Sequence, residues 1–141
     1  MELNRKIRRL LNAQLRDMTV GDIMEPVVVT INEDASLEQL YSLIGEYHHV
    51  GYPVVNKENK VTGVISYKDL FRVKRDDWGS IHVKERMSTR LVCVSPGDGV
   101  IVAMEKMTEE GIGRLLVMVG DTLVGIVSRS SIMDGAIKRL V

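Results

Sequence analysis

Apolar and polar positions along the chain follow a helical period in some segments and a strand period in others. Residues 37–44 place apolar side chains at i, i+3, i+4 and i+7, which predicts a helix with one apolar face. Ser36 and Gln39 form the capping-box pattern at its start. Before this helix, Val27–Ile31 is a β-rich run. After it, "YPVV" and "VTGVIS" flank the polar turn Asn56–Lys60, which predicts a hairpin, and "KDLFRV" begins a closing helix.

The same order of elements recurs in the second half of the chain. "VGYPVVNKENKVTGVISYKDL" aligns with "IGRLLVMVGDTLVGIVSRSSI" 62 positions later, and "DIMEPVVVTI" aligns with "ERMSTRLVCV" 63 positions later. The second set of predicted elements is a strand at Leu91–Val94, a helix at Val100–Met107, two strands at Leu115–Val119 and Leu123–Val127, and a helix at Ser131–Leu140. A single β-α-β-β-α unit would leave one face of its small sheet uncovered. The duplication therefore predicts an α/β (α+β) fold of two β-α-β-β-α repeats related by a pseudo-two-fold axis, with an extra N-terminal helix.

We divide the chain into four segments: an N-terminal amphipathic helix (1–18), a first repeat (19–73), a polar linker (74–80) and a second repeat (81–141). In the N-terminal helix Leu3, Ile7, Leu10 and Leu11 share one side, and basic residues surround the rest. Two interpretations stay open. The helix packs on its own module or on a second copy, or it lies on a membrane as a basic amphipathic segment.

Composition and charge exclude several classes of protein. Lysine plus arginine and aspartate plus glutamate both total 19, so the formal net charge is zero, unlike that of a typical nucleic-acid binder. One cysteine cannot form an internal disulfide, and no apolar signal segment follows Met1. No apolar run reaches the ~18 residues of a membrane span. These features predict a cytoplasmic chain, or the cytosolic face of a membrane protein.

No set of residues indicates catalysis or metal binding. His48 and His49 are adjacent in a turn and His82 is distant in sequence, which favours solvated positions over metal ligands. Cys93 aligns with a strand position and is interpreted as a small core residue. The sequence shows no nucleophile with a base and an orienting group, and no separated pair of carboxylates. We therefore expect no enzyme activity and no bound metal.

A repeated phrase carries the candidate chemistry: "GVISYKDL" at Gly63–Leu70 and "GIVSRSSI" at Gly125–Ile132. A hydroxyl at Ser66, where a strand passes into a helix, suits a phosphate, and Asp69 one turn later can accept hydrogen bonds from both hydroxyls of a ribose. The same two residues also form a good helix cap, so a purely structural role stays open. In the second copy Ser131 replaces the aspartate and carries no charge.

The duplicated unit with "DIM", "GYPVV" and "GVISYKDL" resembles a tandem CBS-domain pair, or Bateman module, over residues 19–141. The resemblance implies a regulatory module that binds AMP, ADP, ATP or S-adenosylmethionine in the cleft between repeats, signals to a partner or fused domain, and forms homodimers through disc packing. The alternative is a structural dimerisation module with vestigial clefts. "YHHVGYPVV" with "YKDLFRVKRDDWGSIHVKERM" is also similar, more weakly, to the CBS region of site-2-type membrane metalloproteases, which implies attachment to a membrane protein.

The resemblance implies two sets of binding residues. The main nucleotide site comprises Ser66, Asp69, Val64, Tyr52, Met87, Arg90, Val92, Ile112 and Gly113. The second, weaker site comprises Ser128, Arg129, Ser131, Ile126, Arg114, Met24, Val27, Val29, Val50 and Gly51. For Tyr52 an ordinary packing role stays open, and for Arg90 the role of a solvated charge at a strand edge stays open. Arg129 is expected to offset part of the lost charge by binding phosphate.

Overall fold

The computed structural model describes residues 2–140, which fold into two compact units. Among the described residues, unit 1 comprises residues 2–28 and 92–140, and unit 2 comprises residues 29–91. Each unit contains one three-stranded sheet with helices packed against it. The predicted fold class, a mixed α and β chain built from two β-α-β-β-α repeats, is therefore confirmed.

Unit 2 is continuous in sequence and contains the first sheet. Its elements are β1 (Ile31–Asn32), α3 (Leu37–Tyr47), β2 (Gly51–Val55), β3 (Val61–Ser66) and α4 (Tyr67–Phe71), with 3₁₀ turns at Arg75–Asp77 and Val83–Glu85. β1 pairs with β2 in parallel and β2 pairs with β3 antiparallel. The capping box predicted for α3 is present, since Gln39 N–H donates to Ser36 Oγ at 3.2 Å and Ser36 N–H donates to Gln39 Oε1 at 2.8 Å.

Unit 1 is assembled from both ends of the chain. Its elements are α1 (Glu2–Asp17), α2 (Val20–Ile23), β4 (Cys93–Val94), α5 (Val100–Glu110), β5 (Arg114–Val119), β6 (Thr122–Ser128) and α6 (Arg129–Lys138). β4, β5 and β6 repeat the pairing of the first sheet, with one parallel and one antiparallel pair. The two repeats therefore fold alike in strand order and direction.

The two cores differ in composition. The core of unit 1 is built from aliphatic residues and methionine: Leu15, Met18, Val20, Val94, Val100, Ala103, Met107, Leu115, Val117, Val127, Ile132 and Ala136. The core of unit 2 also includes two aromatic residues: Ile31, Leu37, Leu40, Tyr52, Val54, Ile65, Leu70, Val73, Trp78 and Val83. Apolar burial drives folding in both units, but only the described core of unit 2 uses aromatic side chains.

The sequence repeats and the compact units are not the same division of the chain. Residues 19–28 come from the first repeat but fold with the second, since Glu25 N–H donates to the Ile126 carbonyl at 2.8 Å. Residues 81–91 show the converse exchange, since Ser88 N–H donates to the Val64 carbonyl at 2.9 Å. Each unit is thus completed by a short segment of the other repeat.

This exchange explains why the first strand of each repeat is shorter than expected. The predicted strand Val27–Ile31 is wrong in extent, because only Ile31 and Asn32 pair with β2. The predicted strand Leu91–Val94 likewise reduces to Cys93–Val94. The chain passes from one unit to the other at 28/29 and at 91/92, one or two residues before these strands. Before β4, Val92 still accepts one hydrogen bond from Leu116 N–H, at 3.3 Å.

The segment interpreted as a polar linker, residues 74–80, is instead folded onto unit 2. Trp78 is only 4% exposed, and its Nε1–H donates to the Val73 carbonyl at 3.0 Å. The Arg75 guanidinium lies 4.5 Å from the centre of the Trp78 ring and binds both carboxylate oxygens of Glu38. Burial of the single large apolar side chain of Trp78 among polar neighbours anchors this short segment to unit 2.

Helix α1 divides into two halves. Leu11 and Leu15 pack against the core of unit 1, whereas every residue from 2 to 10 is exposed. Within residues 2–140 no helix combines the length and the apolar character that crossing a bilayer requires.

Candidate functional site

Ser66 and Asp69 form the junction between β3 and α4. Ser66 N–H donates to Asp69 Oδ2 at 2.9 Å, and Ser66 Oγ–H donates to the same oxygen at 3.3 Å. The other carboxylate oxygen, Oδ1, lies 3.7 Å from the guanidinium of Arg72, and the Asp69 side chain is about one fifth exposed. The capping role is therefore present. Because a carboxylate oxygen has two lone pairs, the carboxylate retains capacity to accept further hydrogen bonds.

Ser128 and Ser131 repeat this junction between β6 and α6 without the charge. Ser128 N–H donates to Ser131 Oγ at 2.9 Å, and Ser131 N–H donates back to Ser128 Oγ at 3.1 Å. The Ser131 hydroxyl also donates to the Ser128 carbonyl at 2.9 Å. A serine thus provides the backbone contact that Asp69 provides in unit 2, and its hydrogen bonding is directed into the cap.

A glycine on the third strand of each sheet allows a backbone segment to approach closely. A methyl group on Gly63 would lie 2.7 Å from the carbonyl oxygen of Ser88 and would also meet the Met87 side chain. On Gly125 it would lie 2.9 Å from the carbonyl oxygen of Glu25 and would also meet Met24. In the structure, the exchanged backbone segments occupy that space.

The first backbone N–H group of each capped helix, α4 and α6, already has a partner. Tyr67 N–H, the first of α4, donates to the Val50 carbonyl at 3.1 Å, and Arg129 N–H, the first of α6, donates to the Gly113 carbonyl at 3.3 Å. In addition, α4 has only five residues, so few peptide dipoles align behind Ser66. A ligand at these caps would therefore depend on their side chains more than on the helix dipole.

Tyr52 is the clearest correction among the site residues. Its side chain is fully buried in the core of unit 2, and its hydroxyl accepts from His49 N–H at 3.1 Å and donates to the Leu43 carbonyl at 3.5 Å. The predicted contact between this ring and a ligand is wrong, because the ring packs among core residues. The alternative that the sequence left open, ordinary packing, is the one observed.

Other predicted residues of the main site are distributed over both units. Val64 and Met87 lie in unit 2 with Ser66 and Asp69, where Val64 bridges to Ser88. Arg90 is exposed in the same unit. Val92, Ile112 and Gly113 belong to unit 1, and the Gly113 carbonyl there accepts from Arg129, a residue assigned to the second site.

The second predicted site is divided in the same way. Within unit 1, Arg114 pairs with Ser128, and Ile126 pairs with Glu25 next to Met24, whereas Val27 is 84% exposed. Val29, Val50 and Gly51 belong to unit 2. Gly51 pairs with Ser66 there. Val50 and Gly51, predicted for the second site, thus adjoin the Ser66–Asp69 cap of their own unit.

A surface cavity of about 540 Å³ in unit 1 reaches the second cap. It is lined by Asp22, Ile23, Met24, Glu25, Ser130, Ser131, Asp134, Gly135 and Lys138. Sequence reasoning named only Met24 and Ser131 among these. Ser130, Asp134 and Lys138 lie at i, i+4 and i+8, so their spacing could have predicted that they share one face of α6. Three carboxylates against one ammonium make this cavity unfavourable for a phosphate.

The remaining polar candidates do not form a second kind of site. Within residues 2–140 no cluster of three histidine, cysteine or carboxylate side chains has the geometry to hold a metal ion. His49 stacks on Tyr52, with ring centres 5.7 Å apart. Burial raises the pKa of the Cys93 thiol, which disfavours a reactive thiolate.

Comparison with known sequences assigns the chain to a protein family. A model of the CBS domain matches residues 20–76 and 82–138, which together exceed half of the chain. An uncharacterized protein of Methanocaldococcus jannaschii is 31% identical over 110 residues, covering 77% of this chain and 39% of that protein. Inosine-5'-monophosphate dehydrogenase of Bifidobacterium longum is 33% identical over 78 residues, covering 55% of this chain and 14% of the enzyme. The chain thus spans less than half the length of these relatives.

Solved structures show the same fold. The CBS domain of a CBS domain containing membrane protein from Sphaerobacter thermophilus superposes with a TM-score of 0.78 at 21% identity, covering 95% of this chain and 97% of that one. The CBS domain of a bacterial CNNM/CorC family Mg²⁺ transporter in complex with ATP gives 0.82 at 20% identity, with 90% and 92% coverage. CBSX2 in complex with AMP gives 0.76 at 23% identity, with 87% and 98% coverage.

The duplicated sheet, the two capped strand-to-helix junctions and the two matched segments agree with one another. The chain belongs to the CBS domain family and carries two CBS domains in tandem.

Proposed function

We propose that the chain is a regulatory module that binds an adenine nucleotide at the Ser66–Asp69 cap and transmits the binding to a partner or fused domain. One comparison inside the molecule supports this proposal most directly. In unit 1 the same cap is made by Ser131 without a charge. A neutral hydroxyl thus satisfies the capping donor in unit 1, and a ribose with two hydroxyl donors would account for the carboxylate at position 69 in unit 2.

The proposal agrees with what is known of similar proteins. The CNNM/CorC and CBSX2 structures contain ATP and AMP respectively. We propose the same role here, in a cytosolic setting and without enzyme activity of its own. AMP, ADP, ATP and S-adenosylmethionine are the candidate ligands, and the contribution of Val92, Ile112 and Gly113 stays a prediction.

The decisive experiment separates ligand binding from capping. Asp69→Ser copies the uncharged cap of unit 1, so the junction is retained while the charge is removed. Calorimetric titration with AMP, ADP, ATP and S-adenosylmethionine is expected to show binding to the wild type. Asp69→Ser is expected to lower the affinity by roughly ten- to a hundredfold, because a charge-assisted pair of hydrogen bonds is lost. Ser131→Ala is the matched control and is expected to leave the main affinity unchanged.

Two results would contradict the proposal. Absence of heat and of any melting shift with all four ligands would show that the cap binds no nucleotide. Unchanged affinity in Asp69→Ser would show that the ligand binds elsewhere. A ligand that stabilises the wild type at 100 times its Kd is expected to add about 2.7 kcal/mol to the free energy of unfolding.

A structural dimerisation module is the second candidate, and one observation favours it. Phe71 and Met133 occupy the same position in the two repeats, and both are exposed apolar residues. In unit 2 the Phe71 ring lies among Tyr67 and Trp78. Exposed apolar residues at repeated positions suit contact with a second copy of the chain.

Sedimentation tests this candidate. The wild type is expected to sediment as a dimer, and Phe71→Glu with Met133→Glu is expected to sediment as a monomer. The control pair Lys57→Glu and Lys60→Glu changes charge in an exposed turn and is expected to remain dimeric. A monomeric wild type would contradict dimerisation, and a dimer that binds none of the four ligands would favour the structural role over the regulatory one.

A further inference from the structure

The first nine residues of α1 form an exposed face that the folded units leave uncovered. Leu3, Ile7 and Leu10 are 67%, 42% and 46% exposed, although they are large apolar residues. They fall at i, i+4 and i+7 and therefore lie on one side of the helix. Three adjacent apolar side chains on one exposed helix face are a typical sign of a binding surface.

This face is distinct from the one that holds the helix to unit 1. At about 100° per residue, the mean direction of Leu11 and Leu15 is about a quarter of a turn away from that of Leu3, Ile7 and Leu10. Leu11 and Leu15 already pack against the core of unit 1. The exposed face is therefore free to contact something else while the helix stays attached.

The charge around this face identifies the kind of partner. Residues 2–10 carry four cations, Arg5, Lys6, Arg8 and Arg9, against the single carboxylate of Glu2. Within residues 2–140 none of these four cations forms an ion pair. An apolar stripe surrounded by unpaired cations matches a surface that is apolar beneath a layer of negative charge, which describes an anionic lipid bilayer.

A second copy of the helix is a poorer match. Two copies that meet along a stripe of three apolar residues would bring eight cations together in a short contact, and like charges at this distance repel. The stripe also lacks the three or four heptads of a stable coiled-coil seam.

Preorganisation strengthens the case for a lipid surface. A free helix of nine residues is marginal in water. Here residues 2–10 continue a 16-residue helix whose other half is packed on unit 1. The segment is therefore already helical before it meets a membrane, which lowers the ordering cost of binding.

We propose that residues 2–10 of α1 bind the surface of an anionic membrane, with Leu3, Ile7 and Leu10 inserted among the headgroups and the four cations paired with lipid phosphates. The helix lies on the bilayer and does not cross it. In this way a nucleotide-binding module is held at a membrane surface.

Cosedimentation with vesicles tests the proposal on the full chain. The probes are vesicles of phosphatidylcholine alone and vesicles of equal parts phosphatidylcholine and phosphatidylglycerol. The wild type is expected to bind the anionic vesicles at least tenfold more strongly than the neutral ones, and to be released by about 0.5 M NaCl, where the Debye length falls to a few ångströms.

Two variants of α1 separate the apolar and ionic contributions. Ile7→Gln is expected to weaken binding to anionic vesicles by about tenfold or more, since an inserted side chain becomes polar. Arg8→Gln with Arg9→Gln is expected to weaken it by roughly 25-fold, about fivefold for each cation. Because residues 2–10 are all exposed, the melting temperature is expected to stay unchanged.

Matched controls make comparable changes at exposed positions outside α1. Val119→Gln changes an exposed apolar residue and Lys57→Gln with Lys60→Gln removes two exposed cations, and both are expected to bind as the wild type does. Equal binding to neutral and anionic vesicles, or full binding by the α1 variants, would overturn the proposal. If the wild type binds neither kind of vesicle and is a dimer that Ile7→Gln dissociates, the exposed face instead binds a second copy of the chain.

Discussion

The caps at the start of α4 and α6 serve the same structural purpose with different side chains. In both, a side-chain oxygen of the third helical residue accepts the backbone N–H of the capping serine at 2.9 Å. In unit 2 that oxygen belongs to Asp69, and in unit 1 it belongs to Ser131. The shorter, neutral serine satisfies the same backbone donor. Capping therefore requires a side-chain oxygen at this position, and in unit 1 that oxygen needs no charge.

The charged groups around the two caps also differ. Asp69 lies 3.7 Å from Arg72, whereas the cap with Ser131 opens on a cavity with Asp22, Glu25 and Asp134. The first cap combines a carboxylate with a nearby cation, and the second combines neutral hydroxyls with an acidic cavity. Duplicated halves of one chain can therefore keep a common fold while the charges around their caps differ.

The largest expected effect concerns the difference between the two cores. Trp78→Ala is expected to lower the free energy of unfolding by about 3–5 kcal/mol, because it removes a buried aromatic side chain and leaves the Val73 carbonyl without its donor. Trp78→Phe keeps a ring and is expected to cost less. Urea unfolding followed by far-UV circular dichroism measures both. A loss below about 1 kcal/mol in Trp78→Ala would show that residues 74–80 add little to unit 2.

The next effect concerns a feature that both units share. Gly63→Ala and Gly125→Ala are each expected to cost about 1–3 kcal/mol, because the added methyl group would meet the backbone carbonyl of an exchanged segment in both units. Gly45→Ala, where a methyl group would meet nothing within 4 Å, is the control. Urea midpoints measure all three. A neutral effect in one unit alone would show that the two segment exchanges are not equally tight.

A smaller effect tests the comparison of the caps themselves. Asp69→Ala and Ser131→Ala each remove the acceptor for a capping N–H and are expected to cost about 1 kcal/mol of stability. Asp69→Ser is expected to cost less than about 0.5 kcal/mol, because serine satisfies the same donor in unit 1. Thermal and urea unfolding of the three variants measure this. A cost for Asp69→Ser equal to that for Asp69→Ala would mean that unit 2 does need the charge.

The smallest expected effect is a loss of stability in acid. The Thr19 backbone N–H and then the Thr19 side chain and Arg139 hold the pKa of Asp22 below its ordinary value of 3.8. Lys84 similarly lowers the pKa of Asp34 in unit 2, at 2.8 Å. A lowered pKa in the folded state contributes stability above pH 3.8, and this contribution is lost as the pH falls through the folded-state value.

Urea midpoints between pH 6 and pH 3 measure this acid sensitivity. The wild type is expected to lose stability below about pH 4. Asp22→Asn removes the contribution of unit 1, and Asp34→Asn removes that of unit 2, so each is expected to flatten the profile slightly. A profile as steep in both variants as in the wild type would assign the effect to other carboxylates.

Local patterns predicted much of the fold because they depend on residues close in sequence. The capping box of Ser36 and Gln39, both hairpins and the helical faces follow from spacing alone, and the repeat itself indicated two similar units. The phrase around Ser66 and Asp69 also located the strand-to-helix junction correctly.

What the sequence did not predict depends on contacts between distant residues. Nothing near Glu25 indicates that it pairs with Ile126, and nothing near Ser88 indicates that it pairs with Val64. Tyr52 and Trp78 were misassigned because burial is decided by the packing of a whole unit, and a polar neighbourhood conceals it. Tyr41 lies on the predicted apolar face of α3 yet is 46% exposed, and it contacts the ring of Trp78.

Unit 1 is built from two separate segments of the chain, whereas unit 2 is one continuous segment, and this difference affects how the two units fold. Unit 2 is a continuous stretch of about sixty residues inserted between Val28 and Val92, both of which belong to unit 1. Until the insert folds, joining its ends costs roughly 4 kcal/mol of chain entropy, which grows with the logarithm of loop length. Once folded, the insert shortens that loop. The continuous unit 2 can therefore fold before the two ends of unit 1 meet. Because this linkage between the units is reciprocal, loss of structure in either unit is expected to lower the stability of the other.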